Sequence, residues 1–240
     1  MLYVGCSGWY YNHWKELFYN GIPQKDWFKY YAKVFDTVEL NSPFYHFPKE
    51  NTAKTWYHQA PKYFVYSIKA NRMITHMKKF VGTKKLIKDF YKVTNVLKEK
   101  LGCVLFQLPP SLHYHEEKLK EILDQLDRDK KNVLEFRHPS WWNENVYKVL
   151  KKNKIMFCTV SGPNLPEEFV KTADDVYIRF HGKENWYDYN YSQKELKEYA
   201  KQIKTLKPKN IWAYFNNDAN AYAVKNALVL KKMVTEEYKS

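Results

Sequence analysis

Long apolar runs are missing from this sequence. No stretch approaches the roughly 18 residues that a membrane span requires, so no membrane partner is expected. The opening residues, Met1-Leu2-Tyr3-Val4-Gly5, enter a strand-like pattern at once, without a basic region followed by an apolar one, and a secretory signal is not expected. Cysteine is scarce. Cys6, Cys103 and Cys158 are widely spaced and odd in number, and each lies in an apolar strand-like run. That argues against a disulfide framework and predicts buried free thiols in a cytoplasmic protein. There is no HExxH or CxxC spacing to mark a metal centre and no Gly-x-Ser-x-Gly elbow to mark a nucleophilic serine. Arginine is the most telling shortage. Of 40 basic side chains only Arg72, Arg128, Arg137 and Arg179 are arginines. A chain that uses lysine almost everywhere has kept arginine at or just past three strand ends. A planar, permanently charged fork suits a carboxylate or phosphate there, or else a structural ion pair.

What is present is a large aromatic and basic chain. Its 240 residues are 45% hydrophobic and 18% aromatic, with 21 Tyr and 8 Trp, enough for a substantial core. The formal charge is +14, which raises nucleic acid as a partner. The lysines are spread along the chain, as in Lys78-Lys79, Lys84-Lys85-Lys88, Lys151-Lys152-Lys154 and Lys231-Lys232, and most fall on polar helix faces where solvent accounts for them.

Apolar runs of strand length recur at 2–6, 37–40, 63–69, 103–108, 133–136, 155–160, 176–180 and 210–215. Between most of them lie amphipathic helical stretches at 24–34, 52–59, 83–101, 116–126 and 144–152, a short piece near 167–170, and helices at 192–206 and 221–238. Ser192-Gln193-Lys194-Glu195 is a capping box that opens one of them. No linker, repeat array or low-complexity stretch interrupts the series. Eight strand–helix units in 240 residues predict a single domain over 1–240, an α/β fold of the TIM-like (β/α)8 barrel type with parallel strands. An open doubly wound sheet is the alternative, but Gly5-Cys6-Ser7-Gly8 lacks the further glycine of a dinucleotide fingerprint.

In a barrel the functional site lies at the C-terminal ends of the strands. Those ends carry Ser7 and Trp9; Glu39 and Asn41; Lys69, with Arg72 and His76 beyond it; Gln107; Glu135, Arg137 and His138; Thr159; Arg179 and His181; and Asn216 and Asn217. Glu135 and Arg137 alternate in phase, so both face the same side of their strand. The set is net positive before histidine is counted, which favours a small anionic ligand bearing phosphate or carboxylate. Glu39, Glu135, His138 and His181 are the candidate catalytic groups, with a glutamate as base and a histidine as acid. Trp9, Asn41, Tyr45, Lys69, Arg72, His76, Gln107, Arg137, Trp141, Arg179, Asn216 and Asn217 are the candidate binding groups. The aromatics among them serve equally well as loop packing. Glu135–Arg137 and Glu39–Lys69 can also be read as mutually satisfying pairs that stiffen the rim. Glu39, Glu135, His76, His138 and His181 would be the ligands of a metal, but several cations share their space, and no cofactor is expected.

At these residues the sequence resembles the DUF72, or YecE-like, family of uncharacterised proteins. The matching motifs are Gly5-Cys6-Ser7-Gly8-Trp9-Tyr10, Glu39-Leu40-Asn41-Ser42-Pro43-Phe44-Tyr45, Lys69-Ala70-Asn71-Arg72-Met73-Ile74-Thr75-His76 and Leu105-Phe106-Gln107-Leu108-Pro109-Pro110. They continue through Glu135-Phe136-Arg137-His138-Pro139-Ser140-Trp141, Arg179-Phe180-His181-Gly182 and Phe215-Asn216-Asn217-Asp218. The resemblance spans essentially the whole chain and implies a TIM-barrel-like fold. It implies no established reaction. Pro43 stands where the family often has Thr, and no charged motif residue is missing. Three functions follow from the residues: an enzyme, of hydrolase or lyase type, acting on a small anionic substrate; a nucleic-acid-binding or phosphodiesterase-like barrel; and a non-catalytic barrel with a structural polar rim.

Overall fold

A computed structural model describes residues 1–239, and the structural statements below refer to them. Eight parallel strands are formed: β1 (Leu2–Cys6), β2 (Thr37–Leu40), β3 (Val65–Lys69), β4 (Leu101–Gln107), β5 (Lys131–Glu135), β6 (Met156–Ser161), β7 (Val176–Phe180) and β8 (Ile211–Phe215). Each pairs with its sequence neighbour except β1, which pairs instead with β8, in the order β1-β8-β7-β6-β5-β4-β3-β2. The result is a TIM-like barrel that lacks only the β1–β2 ladder. Around it lie α1 (Trp27–Val34), α2 (Ser42–Tyr45), α3 (Glu50–Gln59), α4 (Lys84–Thr94), α5 (Glu116–Leu123), α6 (Glu144–Lys152), α7 (Gln193–Thr205) and α8 (Tyr222–Glu237). Among the described residues, no helix is long and apolar enough to cross a membrane.

Period-two alternation sends one set of side chains outward under the helices and the other inward. The inward set forms its own cluster: Cys103 and Leu105 of β4, Val133 of β5, Met156, Cys158 and Val160 of β6, Tyr177 of β7, and Trp212 and Tyr214 of β8. Trp212 stacks on Tyr3 at 4.1 Å and closes the end where the strands begin. All three cysteines are free and buried, as the sequence predicts, and burial pushes each thiol pKa up.

Most helices form where the sequence places them. The capping box at Ser192 is made in full, with Ser192 and Glu195 each bonding the other's main chain. Two expectations change. The long helix of 83–101 ends as α4 at Thr94, and a 3-10 turn over Asn95–Lys100 leads directly into β4. The short helix near 167–170 does not form: the chain between β6 and β7 is irregular. Pro163 and Pro166 disfavour a helix there. The hydroxyl of Thr172 pins the segment along β6 instead, accepting from the Phe157 N–H at 2.8 Å and donating to the Ile155 carbonyl at 2.6 Å.

The seam between β1 and β2 is closed by a side chain. The Tyr31 hydroxyl, from α1, accepts the Cys6 N–H at 2.8 Å and donates to the Thr37 carbonyl at 3.1 Å. One phenol thus stands where a ladder bond would run. Gly5 is required by the same closeness, because a Cβ there would lie 2.4 Å from the Thr37 carbonyl oxygen and 2.9 Å from the Tyr31 hydroxyl. Tyr31→Phe leaves a buried N–H and a buried carbonyl without their shared partner. Its expected cost is about 1–3 kcal/mol, read as a lower urea midpoint with an unchanged slope. An unchanged midpoint would show that the seam closes without the phenol.

Candidate functional site

The inward alternation that fills the barrel with apolar groups becomes polar near its C-terminal end. On β7, Tyr177, Arg179 and His181 point inward in succession. On β5, Glu135 and Arg137 do so, on β2 Thr37 and Glu39, and on β3 Ser67 and Lys69. Arg179 sits at the centre and is completely buried. Its Nη2 donates to Glu39 Oε1 and its Nη1 to Glu135 Oε2, both at 2.6 Å. Glu39 also accepts from the Ser7 hydroxyl at 2.7 Å and from the Tyr177 hydroxyl at 2.5 Å. Glu135 Oε1 receives Arg137 Nε at 2.5 Å and faces His181 Nε2 at 3.4 Å. Below this layer, the Tyr214 hydroxyl bonds Thr37 at 2.7 Å and Ser67 at 2.9 Å. Two carboxylates therefore meet two guanidiniums and two hydroxyl donors.

The charge states follow. Burial alone would raise the pKa of Glu135, but the charges of Arg137 and Arg179 hold it well below the ordinary carboxylate value. Burial, with Arg137 and Arg179 close by, pushes His181 well below 6.5, so this histidine is neutral at physiological pH. The guanidinium can only donate, so His181 Nε2, 2.9 Å from Arg137 Nη2, is an acceptor and the ring proton resides on Nδ1. The Asn216 amide, 3.2 Å from Nδ1, must then present its oxygen to the ring. Expected to be a proton donor, His181 is instead fixed as an acceptor for an arginine.

Lys69 is placed differently. It ends β3, is partly exposed, and among the described residues has no carboxylate within 4.0 Å and no hydrogen-bond partner. Its Nζ lies 4.0 Å from the centroid of the Phe44 ring. The expected Glu39–Lys69 pair is therefore not formed, because Arg179 outcompetes the lysine with a fork that reaches both glutamates. Burial and the nearby Arg179 lower the pKa of Lys69 to about 7. The surrounding chain fixes this arrangement. The Asn71 amide donates to the Pro43 carbonyl at 2.8 Å and the Phe44 carbonyl at 3.3 Å, clamping α2 so that Phe44 sits beside the amine. His76 meets the Phe44 ring edge-on at 4.9 Å and reaches Thr75 at 2.8 Å and Gln107 at 3.5 Å. Burial, then Lys69, lowers the His76 pKa to about 4.

The remaining expected residues divide. Asn41 lies at the rim and donates to the Ser7 carbonyl at 3.3 Å. Tyr45 and Arg72 are exposed, outside the ion-pair network. His138 points away from it, bonding Ser140 at 2.8 Å and stacking on His113 at 3.7 Å. Three residues serve as packing groups, Trp141 and Asn217 buried and Trp9 half-buried. Trp141 is fully buried and stacked on Phe136 at 4.3 Å, with its indole N–H on the Leu112 carbonyl. Trp9 packs against Phe28 at 4.9 Å, and its carbonyl accepts from Tyr19. Asn217, also buried, ties down the Tyr189 carbonyl and Asn226. In each case a short motif read from one dimension gave the residue's place at a strand end but not which way its side chain turns.

Two participants escaped the sequence reading. Tyr177 precedes Arg179 by two residues, so strand phase alone would have found it. Trp186 lies in the loop after β7, and its ring covers the Arg137 guanidinium at 4.6 Å. Among the described residues, no three His, Cys, Asp or Glu side chains converge as a metal would need.

The comparisons with known proteins agree with this architecture. The model of the family described as "Protein of unknown function DUF72" matches residues 3–240, and the chain belongs to that family. It is 25% identical over 274 aligned positions to the UPF0759 protein YunF of Bacillus subtilis, covering 99% of this chain and 96% of that one. It is 26% identical to the UPF0759 protein YecE of Escherichia coli K12 over 143 positions, 59% of this chain and 50% of the relative. Among solved structures, a DUF72 family protein from Thermotoga maritima MSB8 superposes with a TM-score of 0.89 at 29% identity, covering 98% of this chain and 99% of that one. A DUF72 family protein from Enterococcus faecalis V583, at 21% identity and a TM-score of 0.83 over 98% and 96% of the two chains, shares the fold.

Glu135→Gln leaves the buried Arg179 with Glu39 alone and the partly exposed Arg137 without its carboxylate, and the expected loss is about 3–5 kcal/mol. Because the folded pKa of Glu135 lies below its unfolded value near 4.5, its contribution is complete above that value and is lost as pH falls toward the depressed one. Urea titrations from neutral to acid pH should therefore show the wild type losing more stability than the variant. Parallel acid limbs would place the acid sensitivity elsewhere.

Proposed function

We propose that this DUF72 barrel binds a small phosphate- or carboxylate-bearing molecule at its mouth and acts on it by acid–base chemistry. The observation that carries the reading is the unpaired Lys69 in a site whose other charges cancel. Glu39 and Glu135 are matched by Arg179 and Arg137, so the lysine is the surplus charge and the natural seat for an anion. Arg137 supports it: its Nε and Nη2 are engaged, Nη1 has no hydrogen-bond partner among the described residues, and the side chain remains partly exposed under Trp186. Proton transfer falls to Lys69, whose pKa near 7 leaves it part neutral at physiological pH. The two glutamates, held ionised between guanidiniums, orient the cations rather than exchange protons.

Inorganic phosphate, 3-phosphoglycerate and a sugar acid should each raise the thermal midpoint of the wild type, with saturation giving about 2.7 kcal/mol at a hundredfold excess over Kd. Lys69→Met should lose most of that shift while keeping its own midpoint. Equal shifts in wild type and variant would remove the lysine from the anion site.

A nucleic-acid reading has one specific observation in its favour. At the opposite end of the barrel, a cleft is lined by Arg128, Lys130, Lys131, Lys151, Lys154, Lys171 and Lys209, against Asp129, Asp174 and Asp175. Binding there would weaken steeply with salt. An oligonucleotide that binds with a flat salt dependence, or not at all at low salt, would leave the lysines as solvated surface.

A further inference from the structure

We infer that Lys69 is a carbonyl-condensing amine, and that the anionic ligand of the mouth is an aldehyde or ketone that joins Lys69 Nζ as an iminium. This rests on the anion-binding reading above and names the substrate's reactive group. Three observations of geometry support it. The amine ends a barrel strand and projects toward solvent-accessible space, yet it forms no ion pair or hydrogen bond among the described residues. One side of it is the face of Phe44, which offers no lone pair; the ring's attraction for a cation favours the ammonium, and burial works against it. Arg179 and, more weakly, Arg137 disfavour its charge, while Glu135 and Glu39 favour it but are bound to those same arginines. A lysine made nucleophilic by desolvation and neighbouring cations is the recognised way to activate an amine toward carbonyls.

Two other lysines show the contrast. Lys100 is buried, but its Nζ donates to the Tyr57 carbonyl at 2.8 Å and the Ala60 carbonyl at 2.6 Å. Lys131 is paired with Asp175 at 2.7 Å. Of these three, Lys69 is the one whose amine has no hydrogen-bond or ion-pair partner among the described residues.

The step balances without any further reactant. The Nζ lone pair adds to the carbonyl carbon, and the C=O π pair moves to oxygen, which takes a proton. The carbinolamine then expels that oxygen as water after a second protonation, while nitrogen gives one proton to solvent and its lone pair forms the C=N bond. Amine, carbonyl and one proton become iminium and water. The anionic group of the ligand is placed to meet Arg137 Nη1, and the positive iminium then sits where the lysine's surplus charge sat.

The test uses the full chain, glyoxylate as an anionic aldehyde, and sodium cyanoborohydride to reduce any iminium to a stable secondary amine, followed by peptide mapping. The expected result is modification of Lys69 at least about tenfold faster than surface lysines at neutral pH, because a larger fraction of this amine is neutral. Its rate should level off above about pH 8, whereas ordinary lysines gain neutral form up to about pH 10. Inorganic phosphate should slow modification of Lys69 and leave the surface lysines unaffected. Lys69→Met and Lys69→Arg, each checked for folding by circular dichroism, should abolish the fast phase. If phosphate still raises the thermal midpoint but Lys69 reacts no faster than the surface lysines, the covalent inference is overturned and the anion site stands. If phosphate gives no shift and Lys69 shows no fast phase, both fall.

Discussion

The buried guanidinium of Arg179 is the constraint around which the upper barrel is arranged. A full charge at the centre of a protein is tolerated only when countercharges and hydrogen bonds replace its lost hydration. Here one fork bonds two carboxylates from β2 and β5, strands on opposite parts of the barrel wall. The glutamates are then completed by Ser7, Tyr177 and Arg137. Each member exists to satisfy another, so the network sets the barrel's internal geometry as much as the apolar layer beneath it. Such a layer is worth little as net stability compared with well-packed apolar groups, but it is highly specific about distance and direction.

That specificity sets Lys69 apart from the glutamates and the histidine. The guanidiniums remove the carboxylates from proton exchange and hold His181 neutral. What they cannot do is pair with another cation. Burial does most to lower the pKa of the lysine, Arg179 adds to it, and Glu135 and Glu39 oppose it. Its lowered pKa therefore comes first from its enclosure and only second from the structural network. Phe44 reaches the lysine because Asn71, two residues beyond β3, holds the carbonyls of α2, so two motifs that are distant in sequence make one environment.

The strands were readable because each is an apolar run that stops at polar or proline residues, and the helices because their apolar faces recur with helical period. The Glu135–Arg137 pair was readable because strand phase puts both on one side, and they bond at 2.5 Å. The Glu39–Arg179 pair was not, because no local rule joins residues 140 apart in sequence. Lys69 looked the better partner for Glu39 only because it is nearer in sequence. Trp141 shows the limit for aromatics: its motif position is at the rim, but stacking on Phe136 draws it fully inside. The segment between β6 and β7 carries a helix-like apolar pattern, yet the hydrogen bonds of Thr172 to β6 are tertiary and leave no local trace.

The missing β1–β2 ladder also has a consequence in time. The main-chain partner of β1 is β8, with Leu2 aligned to Ile211. During synthesis the first strand made must therefore wait for the last. At about 5–20 residues per second, the wait is roughly 10–40 s. Through that interval the carrier of Ser7 has no strand ladder, and what joins it to β2 and the residue after it is side-chain bonding: the Tyr31 hydroxyl, Ser7 to Glu39 and Asn41 to the Ser7 carbonyl. The central charge network, which needs Ser7 and Tyr177 to complete Glu39, is thus finished only when the ring is.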